Sequence, residues 1–244
     1  MSTKIDLPYY AGEPVAISPT GWLLIVATVV VAFLQLIMLP LPTPPLNFIP
    51  AILFTGLPLL ALMAVTGWRK PALFRSVGLK EIGIGIGFGL LTMLSSAIVG
   101  FALANSIGAA ANPAVEGLLA FGTVDLLLFL ARTFIQLIGE EVVSILPLLA
   151  VLWLCVSKFG LSRRVGLVIA VVVSTLWFAA MHLPTYDWNF IQCVGIIGSA
   201  RIVLTLAYLL TRNLWVSSIA HIFNDWVLFL TSFAIGHLPV GIEG

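Results

Sequence analysis

Seven ionisable side chains interrupt the apolar stretches of this sequence and are the candidates for chemistry: Arg132, Glu140, Glu141, His182, Arg201, His221 and Asp225. A charge at mid-bilayer costs at least ~2.5–3.5 kcal/mol, so such residues usually face protein or water and carry function. Glu140 and Glu141 are adjacent, which doubles the cost, and they project about 100° apart on a helix. His221 and Asp225 are four residues apart and share a helical face.

The chemistry that fits this set is activation of a water molecule. A carboxylate held away from bulk water can act as a general base, while imidazole or carboxyl groups stabilise a developing oxyanion. Two histidines and a glutamate are also ligands that zinc accepts, which leaves a metal site as an alternative. A third reading is a proton relay in a carrier, because intramembrane Glu and His also build such relays.

The composition identifies the elements that must position these groups. Hydrophobic residues make up 61% of the 244 residues and charged residues only 9%, with a mean hydropathy of +1.16. Soluble domains carry roughly 25% charged residues, so lipid must be the main solvent. A net charge of +1 without a basic patch argues against a nucleic-acid partner. Cys155 and Cys193 lie in apolar runs, which predicts free buried thiols.

Seven apolar runs are long enough to be membrane helices, since a ~30 Å bilayer core needs about 20 residues. The sequence therefore predicts an all-α fold, a polytopic transmembrane bundle of about seven helices. The fourth run exceeds one straight crossing, which predicts a tilt or a kink at Pro147. The predicted runs are Trp22–Leu39, Phe48–Thr66, Ile82–Asn105, Leu126–Val156, Val165–Met181, Phe190–Leu210 and Leu214–Ile235.

The basic residues outside the runs predict the orientation. With seven spans, all of them fall on one side of the membrane: Lys4, Arg69, Lys70, Arg75, Lys80, Lys158, Arg163, Arg164 and Arg212. The connections 40–47, 106–125 and 183–189 contain neither Lys nor Arg. The positive-inside rule then predicts a cytoplasmic N-terminus and a C-terminus outside.

Four glycines near the start of the third run form two pairs spaced like helix-packing motifs, Gly83 with Gly87 and Gly85 with Gly89. They precede no phosphate-binding lysine and follow no strand, so a nucleotide loop is rejected. We expect both pairs to support close packing of membrane helices.

Three short motifs, taken in order, resemble those of a known family. They are Glu140-Glu141, the segment from Phe178 to His182, and the segment from His221 to Asp225. The CPBP family of CAAX-processing and bacteriocin-processing intramembrane proteases, also called the abortive-infection family, carries E-E-x-x-x-R, F-x-x-x-H and H-x-x-x-N/D. The resemblance covers about residues 125–230. The apolar runs predict an N-terminal tail at residues 1–20 and N-terminal membrane helices at 21–120, and the resemblance adds a CPBP-like catalytic core at 121–236 of one membrane domain.

The resemblance implies a catalytic set of Glu140, Glu141, His182, His221 and Asp225. Glu140 would activate water, with Glu141 supporting it or the helix packing. His182 and His221 would bind or polarise the scissile carbonyl, and Asp225 would assist His221 or the oxyanion. No cofactor is expected; the alternative is zinc held by Glu140, His182 and His221.

One departure from the family pattern concerns the arginine of the first motif, whose position is Ile145 here. Arg132 or Arg201 is the candidate to replace that cation. The expected partners are the lipid bilayer and a peptide or membrane-protein substrate, which the resemblance allows to be prenylated. The expected location is a prokaryotic cell membrane. The alternatives are a weakly active or inactive family member acting as a membrane regulator or immunity protein, and the proton-coupled carrier.

Overall fold

The computed structural model describes residues 6–39, 41–103, 108 and 110–238. These residues form helices and turns with no strand among them, and seven of the helical segments are long and apolar enough to cross a membrane. The predicted all-α polytopic bundle is therefore confirmed. The helices are α1 (Pro19–Met38), α2 (Phe48–Val65), α3 (Leu79–Leu103), the short α4 (Pro113–Gly117), α5 (Thr123–Trp153), α6 (Arg163–Met181), the short α7 (Phe190–Gln192), α8 (Gly198–Thr211) and α9 (Leu214–Gly236).

The predicted runs agree with these helices to within a few residues at each end. Helix α7 continues through the π-helical turn Cys193–Ile197 into α8, so the sixth span is Phe190–Thr211. Lys4, Pro40 and Asn105, which were used in the predictions, lie outside the described residues. Both cysteines are free and buried, as predicted.

Helix α5 is the central element of the bundle and packs against α1, α2, α6 and α9. With the π-helical turn Leu154–Lys158 it extends for 36 residues, and it passes through Pro147 without a break. Because Pro147 has no N–H, the carbonyl of Val143, four residues earlier, loses its helical donor. The indole of Trp177 on α6 donates to that carbonyl at 3.2 Å, which satisfies it inside the protein.

Helix α3 lies close against α9 through one of the two glycine pairs. A Cβ on Gly85 would lie 2.6 Å from Cγ2 of Ile219, and one on Gly89 would lie 2.9 Å from the carbonyl oxygen of Ala220. Packing through Gly85 and Gly89 is thus confirmed. The prediction for Gly83 and Gly87 is wrong, because both face open space, on the side of α3 turned away from the neighbouring helices.

The segment before α1 is packed against the ends of the bundle. Tyr9 and Tyr10 are buried; the hydroxyl of Tyr9 accepts a hydrogen bond from the Ala72 N–H at 2.7 Å, and Ser157 donates to the Tyr10 carbonyl at 3.1 Å. The connection 66–78 also pairs with the turn at Asn213, whose side-chain oxygen accepts from the Arg75 N–H at 3.0 Å. These contacts gather residues 6–18, 66–78, 154–162 and 212–213 into one surface, which we call the basic face.

The remaining described connections meet at the other end of the bundle. Asn112 donates to the hydroxyl of Tyr186 at 3.2 Å, and the Ala110 N–H donates to the side chain of Gln192 at 2.8 Å. We call this surface, formed by residues 41–47, 108, 110–122, 182–189 and 237–238, the opposite face. Each described Lys and Arg outside the membrane interior lies at or within one helical turn of the basic face.

Candidate active site

A cavity of about 680 Å³ lies among α3, α5, α6, α8 and α9. Four predicted site residues line it, Glu140, His182, His221 and Asp225. They come from three elements: Glu140 from the middle of α5, His182 from the end of α6, and His221 with Asp225 from α9. Further lining side chains are Met93, Ser96, Asn112, Phe129, Arg132, Thr133, Gln136, Phe178, Thr185, Tyr186, Asn224 and Thr231.

The two adjacent glutamates of α5 have different surroundings. Glu140 faces the cavity, and its side chain, 12% exposed, accepts a hydrogen bond from Gln136 one turn earlier at 3.1 Å. Glu141 does not line the cavity and its side chain is fully buried. This division follows from the ~100° step between successive residues of a helix.

Glu141 is neutralised by Arg201, which reaches it from α8. The two guanidinium nitrogens Nη1 and Nη2 of Arg201 lie 2.6 and 2.8 Å from the two carboxylate oxygens of Glu141, a bidentate ion pair. Arg201 also donates from Nε to Thr205 at 3.2 Å and lies 5.1 Å from the ring centroid of Phe178. Arg201 is therefore the cation that accompanies the first motif here, while Ile145 is fully buried in the apolar core.

His221 is held between the two glutamates. Its Nδ1 lies 2.9 Å from Oε1 of Glu141, so Nδ1 carries the proton that this carboxylate accepts. Its Nε2 faces the cavity, 3.7 Å from Oε2 of Glu140 and 3.8 Å from Oδ2 of Asp225. These distances are too long for direct hydrogen bonds and suit one bridging water.

His182 ends α6 and presents one free nitrogen. Its Nδ1 donates to the carbonyl of Phe178 at 2.8 Å, which leaves Nε2 as the nitrogen free for the cavity. The ring of Phe178 lies 4.6 Å from the His182 ring and 6.1 Å from the His221 ring. The Phe178 ring therefore packs beside both imidazoles.

Polar side chains complete the wall around Asp225. Asn224, the neighbour of Asp225 on α9, donates from its side-chain amide to the Asp225 carboxylate at 2.8 Å. Tyr186, in the connection after α6, lines the cavity and accepts a hydrogen bond from Asn112. Burial raises the pKa of the Tyr186 phenol, which keeps its hydroxyl protonated and able to donate.

Comparison with known proteins gives one match. Residues 122–227 match the family model described as Type II CAAX prenyl endopeptidase Rce1-like. This part of the chain is therefore similar to the Rce1-like CAAX proteases. The match is consistent with the CPBP family and confirms the resemblance drawn from the three motifs, all of which it contains. No curated protein and no solved structure matches the chain.

The carboxylates and imidazoles of the cavity are also side chains that can bind a metal ion. Among the described residues, no three His, Cys, Asp or Glu side chains are grouped so that they could share one metal ion. His182 and His221 each commit Nδ1 to a partner within the protein, and Glu140 accepts from Gln136. Because a metal-binding histidine also gives its second ring nitrogen to a protein acceptor, these bonds do not decide against zinc held by Glu140, His182 and His221, which remains the alternative.

Two contributors to the site, Arg201 and Gln136, were not given a partner from the sequence. Arg201 was recognised as an unexplained membrane cation, but its partner lies 60 residues away and helical spacing does not relate the two positions. Gln136 had a local signal, since it precedes Glu140 by four residues and so lies on the same helical face.

Proposed function

We propose that the chain is an intramembrane endopeptidase in which Glu140 activates the attacking water. The observation that carries this proposal is the position of the Glu140 carboxylate, on a cavity wall 3.7 Å from Nε2 of a histidine whose other nitrogen is anchored. The match to a CAAX prenyl endopeptidase family supports membrane endopeptidase activity in general.

The proposed reaction uses each polar group at a stated atom. Glu140 accepts a proton from water as the oxygen attacks the scissile carbonyl carbon. His221, with a proton on both ring nitrogens, donates from Nε2 to the oxyanion that forms, and His182 does the same in its doubly protonated form. When the C–N bond breaks, Glu140 returns its proton to the leaving amine, so the general base regains its starting state.

The proposed substrate is a peptide segment at the membrane, in a lipidated peptide or a membrane protein. The family description names a prenyl endopeptidase, which supports a prenylated peptide as one form of this substrate. Apolar walls contributed by Met93, Phe129 and Ile196 suit an apolar peptide or its lipid group. The proposed location is a prokaryotic cell membrane with the N-terminus in the cytoplasm.

Replacing Glu140 by Gln tests the proposal. Gln keeps the side-chain shape and hydrogen bonding but cannot accept the proton, so peptide cleavage should fall by roughly 10²-fold or more. The free energy of unfolding should change little, because Glu140 has no ion-pair partner as tight as that of Glu141. The measurement is cleavage of a library of apolar and prenylated peptides by purified protein, read by mass spectrometry.

Glu116→Gln is the matched control, because Glu116 is exposed at the opposite face and should leave cleavage unchanged. Chelating agents should also leave cleavage unchanged, and stoichiometric zinc lost together with activity would reverse the metal-free mechanism. Full activity of the Glu140→Gln protein would overturn the role of Glu140. A proton-coupled flux in vesicles that needs Glu140, without any cleavage, would establish the carrier instead.

A further inference from the structure

Arg132 is a membrane cation that the proposed mechanism does not use. It lies on α5, about two helical turns before Glu140, and lines the same cavity. Its guanidinium carbon lies 5.4 Å from the ring centroid of Phe129. Among the described residues, no carboxylate forms an ion pair with it and no acceptor takes a hydrogen bond from it.

The absence of an acidic partner for Arg132 within the described part of the chain contrasts with the surroundings of Arg201. Both arginines lie inside spans, but Arg201 is fully buried and fully paired with Glu141. A guanidinium in the membrane is costly, so one that faces a cavity without an acidic partner indicates that an anion binds there. Apart from the histidines, Arg132 is the sole cationic side chain among the described residues of the cavity wall.

The spacing along α5 restricts what that anion can be. Eight residues separate Arg132 from Glu140, which is ~12 Å of helix at 1.5 Å per residue. An extended peptide rises about 3.3 Å per residue, so it covers this distance in three to four residues. An anion on the substrate would therefore lie three or four residues from the cleaved bond.

We propose that Arg132 binds the free C-terminal carboxylate of the peptide that is cleaved at Glu140. Guanidinium and carboxylate match in a planar, bidentate geometry, and every free chain end supplies such a carboxylate. The alternative ligand, an acidic side chain within an apolar substrate segment, would add the cost of inserting a further charge into the membrane. Resting on the proposed peptidase function, this assignment makes Arg132 a specificity residue that sets the distance from the cut to the chain end.

Binding can be tested without cleavage, using the Glu140→Gln protein in phosphatidylcholine nanodiscs, which contain no anionic lipid. The probes are two fluorescent apolar peptides of one sequence, with a free acid or an amide at the C-terminus. The acid should bind about 10- to 100-fold more tightly, as expected for a charge-assisted hydrogen bond. Adding Arg132→Gln should abolish the difference, and Arg132→Lys should keep part of it.

The exposed Arg164 gives the matched control, because Arg164→Gln removes an arginine at the basic face and should keep the acid preference. Equal binding of the two peptides, no binding of either, or a preference that survives Arg132→Gln would each overturn the assignment.

The active protein provides a second measurement. Substrate peptides extended by one residue at a time at the C-terminus should be cut at a constant number of residues from the new end. In the Arg132→Gln protein, the distance from the cut to the chain end should no longer be constant. Cleavage that ignores the chain end would overturn the role of Arg132 and leave the peptidase proposal intact. Preferential binding of the free acid without cleavage of any peptide would overturn the peptidase proposal and leave the role of Arg132 in binding intact.

Discussion

His221 shows how the site is oriented by a group that is not itself in the cavity. Glu141 accepts from Nδ1 and so selects the nitrogen that remains for chemistry. Arg201 holds Glu141 in place through both carboxylate oxygens, and all three side chains are almost fully removed from solvent. The chain Arg201–Glu141–His221 therefore sets the direction of Nε2, the atom nearest to Glu140.

Removing Arg201 should damage stability more than it damages chemistry directly. Arg201→Met leaves the Glu141 carboxylate buried with only His221 as a partner, and breaking a buried ion pair typically costs about 3–5 kcal/mol. The double change Arg201→Met with Glu141→Gln should recover part of this loss, because no uncompensated charge remains. Thermal unfolding in detergent measures both, and a double variant less stable than Arg201→Met alone would contradict the pairing argument.

At the scale of elements, α3 determines how firmly α9 and its catalytic groups are held. Gly89→Ala should be destabilising by about 1–3 kcal/mol, because the added Cβ would lie 2.9 Å from a backbone oxygen of α9 that has little room to move. Gly87→Ala is the matched control; its Cβ points into open space and should be neutral or slightly stabilising. Unfolding midpoints and peptide cleavage should change together, and equal effects of the two substitutions would refute the close contact.

The segment before α1 should give a pH-dependent contribution to stability. Burial raises the pKa of Asp6, but hydrogen bonds from Arg163 and Tyr10 outweigh it and leave that pKa below its usual value. A lowered folded pKa stabilises the protein above the unfolded pKa of about 3.9, and the effect is lost as pH falls through the folded value. Both side chains of the pair are about half exposed, so Asp6→Asn should cost at most ~1 kcal/mol at pH 7.

The comparison of Asp6→Asn with the original protein therefore needs two pH values. Their unfolding midpoints should differ at pH 7 and converge at acidic pH, once the pH has fallen through the lowered pKa of Asp6 and the stabilisation is gone. Glu13→Gln, which alters an exposed carboxylate of the same segment, should show no such convergence. A difference that is constant with pH would mean that Asp6 acts through packing.

The helices could be predicted from sequence because apolar length is a local property. Phe48–Val65 begins where its apolar run begins, and the motif glutamates and histidines stood out because they interrupt such runs. The pairing of Arg201 with Glu141 could not be predicted, since it depends on how the fourth and sixth spans are placed side by side. Packing through Gly85 and Gly89, and not through Gly83 and Gly87, likewise depends on which face of α3 meets α9.

At the scale of the whole molecule, the cavity reaches the opposite face of the bundle from within the membrane-spanning helices. Asn112, Thr185 and Tyr186 line the cavity from the opposite face, while none of its described lining residues belongs to the basic face. If the basic face is cytoplasmic, as the positive-inside rule predicts, the cavity is reached from outside the cell membrane. The substrate would then be an exported or externally exposed peptide end.

Cysteine labelling in intact cells tests this orientation. In a protein whose buried Cys155 and Cys193 have been replaced, Lys70→Cys should be protected from an impermeant thiol reagent, whereas Asp187→Cys and Thr185→Cys should react. Lys70 and Asp187 lie at the two ends of the bundle, so cysteines at these two positions must differ in reactivity toward the reagent in either orientation. Reaction of Lys70→Cys together with protection of Asp187→Cys and Thr185→Cys would place the cavity on the cytoplasmic side.

The ion pair of Glu141 and Arg201 also has a consequence for biosynthesis. The two residues are 60 positions apart, so at about 5–20 residues per second the ribosome needs ~3–12 s to supply Arg201 after Glu141. During that interval α5 carries two carboxylates and, at position 145, an isoleucine in place of a counter-charge. Stable membrane integration of α5 must therefore wait for α8, and a nascent chain arrested before Arg201 should be held at the insertion machinery or degraded.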